Sequence, residues 1–309
     1  MIRLSLSCGA YDRTLPLLDG RVKPENIDLT FVPTLRPGSP MGSPEADIYE
    51  ASITGVLIQK RTPSGHVPIP IFPRRKFTHQ LLLTREDSKI TSFEDFAGKR
   101  VGLLRWYEHP LGVWLRGDLQ EKYGIAAADI RWFTEGENLI PAAALKGVGI
   151  TVAPSGKSLV QMLVGAELDV LAHEEAQQIL LQHRSLRRVF PEFAQAEAAY
   201  YRETGIFPSY HVLVVKEEIV LRHHWVVSNL IKAFDDAKEL ALHGLERDNS
   251  FVSSPWLAAL LEKQYGLLPR DMYPYGLEPN RKELDVLLRY LYKQGLLPKP
   301  IAAEEVFAL

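Results

Sequence analysis

The chain carries one cysteine, Cys8, in 309 residues. A lone thiol excludes an internal disulfide and a cysteine-based zinc cluster. Neither sign of charge is in excess: 36 Lys and Arg face 38 Asp and Glu, a formal net charge of −2. That balance removes any general electrostatic case for nucleic acid or an anionic membrane as partner. No apolar run approaches the length of a membrane span. The dinucleotide fingerprint G-x-G-x-x-G and the hydrolase elbow G-x-S-x-G are both missing. Two near-motifs fail on one position each. Ala153-Pro-Ser-Gly-Lys-Ser158 ends like a phosphate-binding loop, but Thr151 stands where its first glycine is required. His173-Glu174 begins like a zinc-protease helix, but Gln177 stands where the second histidine belongs. Met1 leads straight into an alternating stretch with none of the regions of a secretory leader, so the cytoplasm is the expected compartment.

What is present is ordinary globular composition, 46% hydrophobic and 24% charged, at a length that suits two α/β lobes. Strand patterns read over Ile2–Cys8, Ile27–Val32, Thr78–Thr84, Lys99–Leu104, Asp129–Phe133, Gly149–Ala153, Leu168–Ala172 and His211–Val215. The prolines of Val67-Pro-Ile-Pro-Ile-Phe-Pro73 allow only an edge or irregular strand. A weak helix is expected over Ile53–Lys60, and a helix begun by Pro110 should reach Tyr123. Ser92-Phe-Glu-Asp95 reads as a capping box, and Ser155 as the cap of a helix running to about Glu167. Val226, Leu230, Ala233, Phe234, Ala237 and Ala241 step by three and four along a long amphipathic helix. Arg36 to Pro44, with three prolines and two glycines, suits neither a helix nor a central strand. Alternating strands and helices imply largely parallel sheets.

Open parallel sheets bind ligands beyond the carboxyl ends of their strands. Several expected strand ends carry Arg or His: Tyr11-Asp-Arg13, Arg74-Arg75, Arg105 to His109, and His173-Glu174-Glu175. The corner Tyr200 to His211, broken by Gly205 and Pro208, adds Tyr201, Arg202 and His211. Arginine grips carboxylates through paired N–H donors, so a substrate bearing carboxylates is the natural inference.

Cys8-Gly-Ala-Tyr-Asp-Arg-Thr14 with Leu17-Leu-Asp-Gly-Arg-Val22, Ile71-Phe-Pro-Arg-Arg75, Gly98-Lys-Arg-Val-Gly102 and Val113-Trp-Leu-Arg-Gly117 go further. So do Asp129-Ile-Arg-Trp-Phe133, Tyr200-Tyr-Arg-Glu-Thr-Gly-Ile-Phe-Pro208 and Tyr273-Pro-Tyr-Gly-Leu-Glu-Pro-Asn280. Through these stretches, over nearly its whole length, the chain resembles the 4,5-dihydroxyphthalate decarboxylase family. The resemblance implies an α/β, two-lobed fold like that of type II periplasmic binding proteins, with mixed or parallel sheets and two hinge crossings. Lobe one would be residues 1–96 plus 206–309, and lobe two 97–205, with ligand held between them. Ala51-Ser-Ile-Thr-Gly55 stands where the family carries a serine-rich loop, which adds Ser52 and Thr54 to the substrate-binding set.

The expected activity is cofactor-independent decarboxylation of a hydroxylated phthalate-type acid, with no nucleic acid or membrane as partner. Tyr11, Arg13, Ser52, Thr54, Arg74, Arg105, Tyr201 and Arg202 would bind this small anionic aromatic substrate. His109, His173 and His211 would move protons, with Glu174 orienting or assisting. The alternative is a non-catalytic solute-binding protein of the ABC-transporter type for a small aromatic or carboxylic acid, and a third reading is another enzyme on this fold. No cofactor is called for. A divalent metal and a homo-oligomer stay open at this stage.

Overall fold

The computed structural model describes residues 1–35, 41–59, 64–140, 145, 147–247 and 252–307. Most of the proline-rich stretch, residues 36–40, and Lys60 at the end of the expected helix lie outside them. In chain order the strands are β1 (Ile2–Ser7), β2 (Ile27–Phe31), β3 (Ile48–Ser52), β4 (His66–Ile69), β5 (Leu82–Arg85) and β6 (Arg100–Leu103). There follow β7 (Arg131–Thr134), β8 (Gly149–Val152), β9 (Val170–Ala172), β10 (Leu186–Arg188) and β11 (His211–Lys216). The helices are α1 (Leu15–Leu18), α2 (Ile53–Gln59), α3 (Pro110–Tyr123), α4 (Leu159–Val164) and α5 (Ala176–Gln182). After them come α6 (Phe193–Thr204), α7 (Glu217–Arg222), α8 (Trp225–Arg247), α9 (Leu257–Tyr265) and α10 (Arg281–Lys293). Among the described residues no helix is long and apolar enough to cross a membrane.

The first of two units comprises Met1–Arg75, Ser209–Leu284 and Ile301–Leu309. Its sheet runs β2-β1-β3-β11-β4. β1 is parallel to β2 and β3, whereas β11 is antiparallel to β3 and β4. Pro68 is tolerated because β4 is an edge strand. Leu4, Leu6, Ile48, Ile69, Leu213 and Val215 meet Val226, Leu230, Ala233, Phe234 and Ala237 of α8 in one core. The expected apolar face of α8 therefore holds as far as Ala237. Each fully buried Val, Leu, Ile or Phe among them contributes about 1.5–3 kcal/mol. The next buried position is Lys238, whose ammonium pairs with Asp235 and Asp271.

The second unit comprises Lys76–Pro208 and Asp285–Pro300. Its sheet runs β10-β5-β9-β6-β7-β8, with β6 to β9 parallel and β5 antiparallel to both neighbours. Leu83, Leu159, Met162, Leu163, Leu168, Leu171, Ile179 and Leu186 form its core. α3 starts at Pro110 behind the N-cap His109 and stops at Gly124, whose φ of 68° is the left-handed conformation that ends helices. The helix is buried throughout Pro110–Leu119, which explains why apolar residues surround it.

Both sheets are mixed, one of the two arrangements that the resemblance implied, whereas several other expectations are corrected. Residues 76–96 pack with the second unit, because β5 pairs with β9 and β10; residues 206–208 also fall there, and 285–300 pack with it too. The chain thus changes unit at 75/76, 208/209, 284/285 and 300/301. A single turn of 3-10 helix, His79–Leu81, takes the front half of the expected strand 78–84. The cap of α4 is Ser158, whose Oγ accepts from Gln161 N–H, and not Ser155. At 92–95 only half a box forms: Asp95 accepts from Ser92 N–H and Oγ–H.

Candidate functional site

In the first unit β1, β2, β3 and β4 all end along one edge, and the antiparallel β11 begins there. His211 thus stands in register opposite Ser52, the last residue of β3. Two residues earlier on β3 lies Glu50, whose carboxylate is 0% exposed. Its Oε1 accepts from Tyr11 Oη at 2.6 Å and lies 2.6 Å from His211 Nδ1. Its Oε2 accepts Gly9 N–H at 2.8 Å. Tyr11 reaches it because Thr14 ties the loop after β1: Thr14 Oγ1 donates to Gly9 O at 2.7 Å and accepts Tyr11 N–H at 2.9 Å. Burial first, and the Glu50 charge second, push the Tyr11 phenol well above its usual range. The same two causes push up the buried Cys8 thiol, so neither group gives up its proton near neutral pH.

The arginines of this edge differ. Arg13 lies between the rings of Tyr11 and Tyr273, 4.2 and 4.0 Å from their centroids, and donates through Nε and Nη2 to the Pro73 carbonyl. Arg75 is buried in an ion pair with Glu283 and a hydrogen bond to Asn280. Arg74 is half-buried and close enough to Tyr11 to act on the phenol's charge. Ser52 Oγ and Thr54 Oγ1 lie 3.3 Å apart, with Thr54 fully buried.

In the second unit the ends of β6 and β9 carry two histidines and a carboxylate. His109 Nδ1 accepts Leu111 N–H at 3.4 Å as the cap of α3, and Nε2 lies 3.5 Å from Glu174 Oε1. His173 Nδ1 accepts Glu175 N–H at 3.1 Å, and burial lowers its pKa, so the ring stays neutral. Lys76 Nζ donates to Glu174 O at 2.9 Å. Arg105 is exposed, with a left-handed backbone (φ 67°) whose carbonyl accepts from Glu135 and Gly136 N–H. Tyr201 is half-buried beside Phe77, and Arg202 is exposed on the last turn of α6.

The structure therefore joins Tyr11 and His211 through one carboxylate in the first unit. In the second it brings His109 to Glu174, and leaves Arg105 and Arg202 on exposed positions. The residue missing from the sequence reading is Glu50. Its signal is a charge in the middle of Ile48-Tyr-Glu-Ala-Ser52, which forms an interior strand where glutamate is depleted. Among the described residues no group of three or more His, Cys, Asp or Glu is placed to hold a metal ion.

No family model matches the chain. It is 29% identical over 318 aligned residues to the 4,5-dihydroxyphthalate decarboxylase of Comamonas testosteroni, covering 99% of this chain and 96% of that one. The chain is a homologue of 4,5-dihydroxyphthalate decarboxylase. A second decarboxylase of that name, from Pseudomonas putida, is 29% identical over 220 residues, covering 65% of this chain and 82% of its own. Among solved structures, the alkanesulfonate-binding protein SsuA of Xanthomonas axonopodis pv. citri matches with a TM-score of 0.55 at 15% identity, over 99% of this chain and 97% of that one. The desulfurization enzyme DSZB matches with a TM-score of 0.52 at 14% identity, over 100% and 96%. These likenesses give the fold, the two-lobed type II periplasmic binding protein architecture that the sequence resemblance implied.

Proposed function

We propose that the chain is a decarboxylase of a hydroxylated phthalate-type acid, and that 4,5-dihydroxyphthalate is the substrate to test first. The observation that carries this reading is the likeness to a decarboxylase across 99% of the chain. The chemistry asks for little beyond proton transfer. Each carboxylate of that diacid lies para to a hydroxyl. As the hydroxyl proton is drawn off to water, the oxygen's electron pair moves into the ring and the para carbon takes up a proton. The bond to the carboxylate then breaks, carbon dioxide leaves, the returning pair restores the aromatic ring, and the phenolate oxygen takes a proton back from water to give a dihydroxybenzoate. The ring is its own electron sink.

Three side chains of the first unit suit these tasks. His211 is the proton donor to the ring carbon, held at the strand edge by Glu50. Arg74, half-buried and close to Tyr11, holds the spared carboxylate. Tyr11 shapes the site as a neutral phenol. His109 and His173 turn Nδ1 to backbone N–H groups, which favours a structural use of both rings. The test is carbon dioxide release from 4,5-dihydroxyphthalate by the purified protein. His211→Ala should cut kcat by about 10²–10⁴-fold and retain binding. Calorimetric binding of the diacid without carbon dioxide release would instead make the chain a solute receptor.

A further inference from the structure

We propose that Glu50 is a positioning residue that fixes His211 in its Nδ1–H form and so leaves Nε2 as the atom that transfers the proton; the inference rests on the decarboxylase reading above. A carboxylate only accepts hydrogen bonds. The oxygen that takes Tyr11 Oη–H at 2.6 Å also faces His211 Nδ1 at 2.6 Å, so that nitrogen is the donor. The other oxygen is held by the backbone N–H of Gly9, which fixes the carboxylate plane from a second strand end. His211 Nε2 makes no hydrogen bond among the described residues, whereas His109 and His173 each turn Nδ1 to a backbone N–H.

From the segment after β1, Cys8 and Tyr11 are held protonated by burial and by Glu50, and Arg13 is a fixed cation. From the segment after β4, Arg74 is a second fixed cation. With Nδ1 held 2.6 Å from the Glu50 carboxylate, Nε2 is the ring atom left to meet the substrate. The same arrangement orients the ring, as a buried carboxylate does for the histidine of a hydrolase triad.

The test has two arms on the full chain. Nitrogen NMR of the histidine-labelled wild-type protein should show His211 protonated at Nδ1, a readout that needs neither a variant nor turnover. In kinetics, Glu50→Gln should lower kcat by about 10²–10⁴-fold with KM little changed. Glu50→Asp should restore part of the loss, and NMR of Glu50→Gln should show the His211 proton no longer confined to Nδ1. A purely structural glutamate would change the yield of folded protein and leave the His211 tautomer in place. If the wild type is active but NMR shows Nε2–H, or Glu50→Gln keeps kcat and the tautomer, the positioning role is overturned while the activity stands. If the Nδ1–H signal is present but no carbon dioxide is released, the tautomer assignment is supported and the activity reading fails.

Discussion

At the scale of single residues, arginines close together in sequence serve different ends, and burial decides which. The Arg75 side chain is 2% exposed and that of Glu283 6%; the same carboxylate also accepts Ser209 N–H. A buried pair is a weak source of net stability, yet removing one member strands the other's charge. Glu283→Ala should therefore destabilise by about 3–5 kcal/mol in urea denaturation. Glu278→Ala, which breaks an exposed pair with Arg281, should produce no measurable change. An equal response from the two would contradict this division. Arg105 carries another kind of cost. A side chain in the left-handed region is strained by about 1–2 kcal/mol, and glycine is not. Arg105→Gly should raise stability by about 1 kcal/mol, measured by the same denaturation.

Elements show how residues remote in sequence are brought to share one place. Gly117 of α3 lies under the ring of Tyr290 in α10, where an added Cβ would come within 1.9 Å of a ring carbon. Tyr290 Oη donates to Asp118 Oδ1 at 3.0 Å across a separation of 172 residues. Gly117→Ala would gain about 1 kcal/mol from helix propensity alone. Here the clash should reverse the sign, so that the variant unfolds at lower denaturant; a more stable variant would refute the packing. Such contacts mark where sequence reading stopped. The limits of α3 were legible because Pro110 and Gly124 act locally. The face of α8 was legible because its period is local too. β3 was not legible: its five residues carry Glu50 at the centre, a polar group that makes sense only once Gly9, Tyr11 and His211 are in place. Nor was the assignment of residues 285–300 to the second unit, which rests on Tyr290 meeting Gly117 and Asp118, and on Gln294 meeting Arg116. His211 and Tyr11 could be singled out as polar groups near strand ends. Their shared partner could not, since nothing in local pattern tells which strands become neighbours.

At the scale of the whole molecule, stability against pH sums groups whose pKa differs between folded and unfolded states. Burial raises Asp118 to about 7, against the hydrogen bonds from Tyr290 and Tyr200. Burial likewise raises Glu197 to about 7, against the bonds from Gln80. A raised folded pKa means the folded chain holds the proton longer than the unfolded one. Each carboxyl's stabilising contribution is thus complete below its unfolded pKa of about 4 and is lost as pH rises to about 7, at about 1.4 kcal/mol per pH unit. His79 acts in the opposite direction. Burial among Phe93, Phe190 and Tyr200 lowers it to about 4, so its contribution is complete above about 6.5 and is lost as pH falls through that interval. The isosteric variant Asp118→Asn, Glu197→Gln removes the two descending contributions and leaves the ascending one. Its stability relative to the wild type should therefore climb steadily from pH 4.5 to pH 7, by about 3 kcal/mol for each site replaced, and level off above. Urea denaturation of both proteins across that range measures the difference directly. A difference that does not vary with pH would mean that neither carboxyl keeps its proton on folding, and that Asp118 and Glu197 are buried as anions.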